Sequence, residues 1–339
     1  MTNAQFAEGI PKAELHLHIE GSFEPEHMFS LAKRNNVSIK YNSIEDLKKA
    51  YQFNNLQDFL DVYYAAASVL IHENDFYELT MAYLKKVHTQ NVKHVEIFFD
   101  AQTHTSRGIA FETVFFGIKS ALEESYKKFG IQYKIILCFL RHLSEEDAMK
   151  TLEMALPFKE DIYGVGLDSS ELGFPPSLFE KVFEKARQEG FVTVAHAGEE
   201  GPAAYVWEAI NLLKIARLDH GNNALDDDKL VAYLVSHKIA LTVCPLSNIY
   251  LKVVKNINLH PLKKMMDRGL LVTINSDDPA YFGGYINENY LAMTAALDLS
   301  KKDIYELAKN SFIASFLNEE DKEKFLLMVE LYYKEFGDE

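Results

Sequence analysis

Cysteine is nearly absent from this chain. Its 339 residues include two, Cys138 and Cys244, each inside an apolar run (KIILCFL and IALTVCPL). Two such residues make no disulfide framework, and both read as small buried hydrophobes. Positive charge is also scarce: 35 Lys and Arg stand against 50 Asp and Glu, a formal net charge of −15. A surface of that sign repels phosphate backbones and anionic lipids, so neither nucleic acid nor membrane is an expected partner. No apolar run approaches the ~18 residues of a membrane span. The opening MTNAQFAEGIPKAELHL lacks the basic-then-apolar order of a signal peptide. A cytoplasmic location is the resulting expectation. No low-complexity linker divides the chain, so one domain over residues 1–339 is expected.

What is present is ordinary globular material, 48% hydrophobic and 25% charged, with ample stock for a core. Short apolar or alternating runs begin at Ala13, Val92, Tyr133, Ile162, Phe191, Ile215, Ile239 and Leu270. Between most of them lie stretches such as SLFEKVFEKARQEG and DDDKLVAYLVSHK, whose apolar residues recur at three and four, as on a helix face. Parallel strands need helical crossovers, so eight strand–helix alternations predict an α/β fold, a (β/α)8 TIM barrel. Two helical additions exceed a plain barrel: an insertion after the first strand, roughly residues 36–91, and a tail from about Ser300. Insertions after barrel strands lie over the catalytic face, which makes the first a lid candidate. Its stripe Phe53, Leu56, Phe59, Leu60 and Tyr63 reads first as core packing and second as ligand contact.

Polar residues then mark the strand ends. His16 and His18 close the first strand, His196 the fifth, with Glu199 three residues on, and His220 the sixth; Asp277 and Asp278 follow the eighth. C-terminal strand ends are where barrel enzymes build their sites. Residues two apart on a strand face the same way, about 6.6 Å apart, so His16 and His18 can grip one metal. With His196 and Asp277 the set becomes three nitrogens and one oxygen, which suits a single zinc. Small residues Ala197 and Gly198 let the chain turn so that the Glu199 carboxyl reaches back as a general acid. The remaining histidines read as surface or supporting residues.

At these residues the sequence resembles the adenosine/adenine deaminase family. The matching motifs are PKAELHLHIEGS, GLDSSELG, AHAGEEGP, LDHG, CPLSN and NSDDPAYFGG, in order from Pro11 to Gly284. The resemblance implies a barrel with one zinc held by His16, His18, His196 and Asp277. It implies that Glu199 protonates the purine N1, that His220 orients the attacking hydroxide, and that Asp278 hydrogen-bonds to N7. The reaction implied is hydrolytic removal of the 6-amino group of a purine base, a small-molecule substrate used in purine salvage. Two departures point within the family. Glu20 stands where nucleoside deaminases carry Asp near the ribose, and Glu171 stands at a glycine whose N–H meets the ring. Longer carboxylates would crowd a sugar, and Glu171 could accept an N–H that only a free base has. Both are therefore expected as substrate-binding residues of an adenine deaminase, with adenosine and N6-substituted adenines as alternatives.

Two other classes compete. A two-metal amidohydrolase shares H-x-H but needs a bridging Lys or Glu at the end of strand four, where this chain has Asp168 and serines. A non-catalytic zinc-binding protein would be expected to lack a ligand or the acid. The deaminases built on H-x-E with P-C-x-x-C match His94-Val95-Glu96 alone, and no C-x-x-C exists. Oligomeric state has no signature here.

Overall fold

The computed structural model describes residues 1–51, 53 and 56–337. Eight strands run β1 (Lys12–His18), β2 (Val92–Phe99), β3 (Gln132–Leu140), β4 (Ile162–Asp168), β5 (Val192–Ala197), β6 (Arg217–His220), β7 (Ala240–Val243) and β8 (Val272–Ile274). Each pairs in parallel with the next in chain order. They read as near-continuous apolar runs because parallel strands are covered on both faces. The last gap is bridged by backbone just beyond β8: Leu17 pairs with Asp277. The Asp277 N–H donates to the His16 carbonyl (3.0 Å), and the His18 N–H donates to the Asp277 carbonyl (3.1 Å). The eight parallel strands thus form the expected TIM barrel.

The crossover helices carry their boundaries in the sequence. Helix Asp228–His237 starts on Asp227, whose carboxylate accepts the Lys229 and Leu230 N–H groups, and helix Glu145–Ala155 starts on Ser144; both are side-chain caps. The insertion after β1 is helical, as expected, with helices Ile44–Ala50, Leu56–Ala67 and Glu73–Thr89. Its stripe is buried, and Phe59 packs on Phe282 and Tyr281, ring centroids 4.7 and 5.4 Å apart. Those two rings follow β8, so the insertion covers the C-terminal end of the barrel. The tail helix Lys301–Ile313 backs the barrel seam: Ser311 Oγ accepts from the Ala13 N–H (2.9 Å) and Asn310 Nδ2 donates to the Val272 carbonyl (3.1 Å). No helix among the described residues is long and apolar enough to cross a membrane.

Candidate active site

The predicted ligands converge. His16 and His18 sit on β1, His196 on β5, and Asp277 just past β8, all buried, with one ligand atom from each within 4.8 Å of the others. His16 Nε2 lies 3.3 Å and His18 Nε2 3.5 Å from Asp277 Oδ1, and His18 Nε2 lies 3.1 Å from His196 Nε2. A tetrahedron with metal–ligand bonds of about 2.1 Å puts neighbouring ligand atoms about 3.4 Å apart, so these edges match one small metal ion. The tautomer of His16 agrees. The Thr242 hydroxyl donates to Asp219 Oδ1 (2.8 Å), so it accepts the proton of His16 Nδ1, 2.8 Å away. That leaves a lone pair on His16 Nε2, which is buried without a hydrogen-bond partner. Imidazole fixed from behind in this way is the usual support of a metal ligand.

The backbone is bent to reach this arrangement. His220 and Asp277 both adopt φ +63°, a left-handed conformation that non-glycine residues seldom hold. His220 Nε2 lies 3.6 Å from Glu199 Oε2 and 3.9 Å from Asp277 Oδ2. Burial pushes the Glu199 carboxyl well above its ordinary range, and the nearby Asp277 and Glu171 charges add to this. Burial, reinforced by Asp277, does the same to Asp278. The His220 ring is held down to about 3, chiefly by burial, so it is neutral at physiological pH. Asp277 stays ionised: its surrounding histidines outweigh the burial that would raise it. The site thus holds a neutral imidazole, a protonated acid and an ionised ligand side by side.

These groups open on one cavity, lined also by Asp100, Asp168 and Ser169 and roofed by Leu56, Phe59, Leu60, Tyr63 and Tyr64. The stripe on the insertion therefore serves both expected purposes, packing and cavity wall. Asp100 was not singled out in the sequence, and Asp168 was noted only as standing where a two-metal enzyme has Lys or Glu, although each follows or terminates a strand, β2 and β4, in the same way as the histidines. Burial raises both carboxyls, each keeps an oxygen without a partner, and with His18 they form a second cluster of possible ligands.

Two expectations need correction. Glu171 does not face the cavity. Its Oε1 accepts the Gly198 N–H (2.7 Å), and its Oε2 accepts those of Glu199, Glu200 and Gly201 (3.0, 2.9 and 2.8 Å). The donors left to a substrate N–H are supplied instead by the chain's own backbone. Glu20 does not line the cavity either. Its Oε1 accepts from His104 Nε2 (2.7 Å) and from the Asp100 N–H (3.3 Å), so it props Asp100, which does line the cavity. The remaining expected site residues, Glu199, His220 and Asp278, stand on the cavity wall beside the candidate metal ligands.

The adenosine deaminase family model matches residues 11–332. The chain belongs to the adenosine deaminase family. Within that family it is 56% identical to an adenine deaminase of Acinetobacter baylyi, over 96% of this chain and 98% of that one. It is 57% identical to an adenine deaminase of Chlorobium phaeobacteroides, over 97% and 98%. The crystal structure of adenine deaminase from Arthrobacter aurescens superposes with a TM-score of 0.95 at 45% identity, over 96% of this chain and 100% of that one. An amidohydrolase from Burkholderia ambifaria, solved with bound Zn, gives a TM-score of 0.88 at 26% identity, over 98% and 96%.

Proposed function

We propose that this protein is a zinc-dependent adenine deaminase, converting adenine and water to hypoxanthine and ammonia. The observation that carries the reading is the convergence of the four-residue set His16, His18, His196 and Asp277 beside one cavity whose wall also carries Glu199, its carboxyl pushed up by burial, and a neutral His220. The relatives that are adenine deaminases over nearly their whole length support the choice of base, and the zinc in the Burkholderia structure supports the metal. A zinc ion in the site would supply the Lewis acidity that makes water nucleophilic at neutral pH.

The rest follows from the chain's own side chains. Glu199 donates its proton to ring N1 as water adds at C6, which removes the electron density that would otherwise build up on the ring. His220, neutral and close to Glu199 and Asp277, accepts a hydrogen bond from the incoming water and fixes its direction. The proton the water gives up passes through His220 to the amino nitrogen, the C6–N6 bond breaks and ammonia leaves, and the hydroxyl left on C6 returns its proton to Glu199 as the carbonyl forms. Asp278 carries a proton and donates it in a hydrogen bond to N7, an acceptor in the ordinary tautomer of adenine. Asp100 and Asp168 offer buried oxygens to the N–H of the five-membered ring. Leu56, Phe59 and Leu60 of the roof offer nothing to the hydroxyls of a ribose, and the roof's Tyr63 and Tyr64 hydroxyls are already engaged with Asp100 and Ser169.

The test is a purine panel scored for ammonia release, with metal analysis on the same preparation. One zinc per chain is expected, together with a preference for adenine over adenosine of about 10³-fold or more, as sites built around a substrate N–H achieve. Comparable kcat/KM for adenine and adenosine would remove adenine as the designated substrate, and two metal equivalents would favour a two-metal hydrolase using the His18, Asp100 and Asp168 cluster.

A further inference from the structure

The loop that carries Glu199 has an unusual construction. Between β5 and the helix Ala203–Glu208, four successive backbone N–H groups, those of Gly198, Glu199, Glu200 and Gly201, all point to one side chain, the carboxylate of Glu171. A chain does this when it folds into a concave nest, a shape that ordinarily receives an anion. Here the anion is covalently part of the protein, delivered from the segment after β4, and it is 1% exposed. Both ends of the nest are glycines for identifiable reasons. Gly198 has φ +72°, and a Cβ on Gly201 would lie 2.5 Å from Glu171 Oε1. The partner loop is secured in turn: the Phe174 N–H donates to the Glu171 carbonyl (3.1 Å). Arg141, buried at the end of β3, donates from Nε to the Phe174 carbonyl (2.8 Å) and from NH1 to the His196 carbonyl (2.7 Å).

From this geometry we infer that Glu171 is a positioning residue for the reaction: its carboxylate fixes the backbone of the Gly198–Gly201 nest and thereby holds Glu199 where it can donate its proton. Two hydrogen bonds to a loop could be mere packing. Four, one to Oε1 and three to Oε2 and flanking the acid on each side, tie down the backbone around Glu199. Arg141, which braces the same loops, has no acceptor to offer, and the amides of Gly198, Glu199 and Gly201 are bonded where burial excludes bulk water. A substituted side chain with a single acceptor oxygen leaves at least one buried donor without a partner, and the loop must rearrange to satisfy it. The metal ligands are not part of this device; His196 is held by its own strand and by Arg141. The consequence is selective: loss of Glu171 should damage proton donation while leaving the metal in place.

This inference rests on the proposed role of Glu199, and the test keeps the two separable. Amide hydrogen exchange of residues 198–201 is measured in the zinc-loaded wild type and in Glu171→Gln, Glu171→Ala and Gly201→Ala; the last displaces the carboxylate without removing it. Zinc content, kcat and KM for adenine are measured on the same proteins, and Glu171→Gln is repeated in a Glu199→Gln background. Exchange is expected to accelerate in all three variants with one zinc retained. In Glu171→Gln, kcat is expected to fall about 10- to 100-fold with KM changed less than about 3-fold, and in the Glu199→Gln background the same substitution is expected to cost less than about 2-fold, because residues acting through one another are not additive. Unchanged exchange, or an equal loss of rate in both backgrounds, overturns the inference; the second result is what a purely structural residue gives. If the wild type releases no ammonia from adenine, the proposed function falls, while the exchange experiment still decides whether Glu171 holds the loop.

Discussion

Adjacent aspartates at positions 277 and 278 do opposite things because of what surrounds each. Asp277 faces the histidines and remains charged, whereas Asp278, beside that charge and with a buried Oδ1 that has no partner, keeps a proton. Asp278→Asn preserves a donor toward N7, so kcat/KM for adenine is expected to drop only about 10-fold with metal content unchanged. Metal analysis of that variant beside Asp277→Asn checks the assignment, since only the latter should lose its metal. Lys12 makes a test at a distance from the chemistry. Its ammonium sits among the Glu8 and Gln90 carbonyls and Asn287 Oδ1 (3.3, 3.1 and 2.8 Å), and burial lowers its pKa to about 7. The unfolded chain, with Lys near 10.5, then takes up a proton on unfolding between pH 7 and 10.5. Stability contributed by this group is therefore full above that window and lost as pH falls through it, by at most about 1.4 kcal/mol per pH unit. Urea midpoints at pH 7 and 9 should rise less in Lys12→Met than in the wild type; an equal rise in both would mean that Lys12 is charged in the folded protein.

Single elements show what the sequence can and cannot reveal. All eight strands were legible because a strand buried on both faces is an apolar run whatever its neighbours are, and β1 is buried from end to end. The ligand set was legible because His16, His18 and His196 sit at strand ends, where the barrel's geometry alone assigns a direction. Glu171 was not: its partners are backbone amides, and those have no letter in a sequence. The meeting of Asp100 with Asp168 was missed for another reason, since it joins the ends of β2 and β4, which neither motif announces. The turn Glu20–Ser22 after β1 depends on a similar meeting. A Cβ on Gly21 would lie 1.9 Å from Asp278 Oδ1, so the turn after β1 and the segment after β8 pack closely at this point. Gly21→Ala is expected to displace Asp278 and cut adenine turnover 10-fold or more, with far-UV circular dichroism and metal content near normal, as overpacking at one contact costs only about 1–3 kcal/mol. Undiminished turnover would show that Asp278 needs no such support.

Across the whole molecule, the ligands come from β1, β5 and the segment past β8, so a bound metal joins parts of the chain that are remote in sequence. Anything that binds the folded form alone stabilises it, by about 4 kcal/mol at a thousandfold excess over Kd. Chelation is therefore expected to lower Tm by several degrees, on the order of 5–10 °C for a chain of this size, and zinc is expected to restore it. A Tm indifferent to metal would mean that the site is held together without it. The closing bridge of the barrel carries this further. The residue that pairs with β1 at the seam, Asp277, also belongs to the proposed metal-ligand set, and its partners His16 and His18 lie about 260 positions earlier in the chain. A ribosome must therefore release nearly the entire polypeptide before the site can exist. During synthesis the first two histidines wait without their carboxylate, and a truncated product that stops before β8 is expected to hold the proposed metal more weakly. Under the proposed function, possession of the metal would thus be a chemical record that translation has run past the last strand.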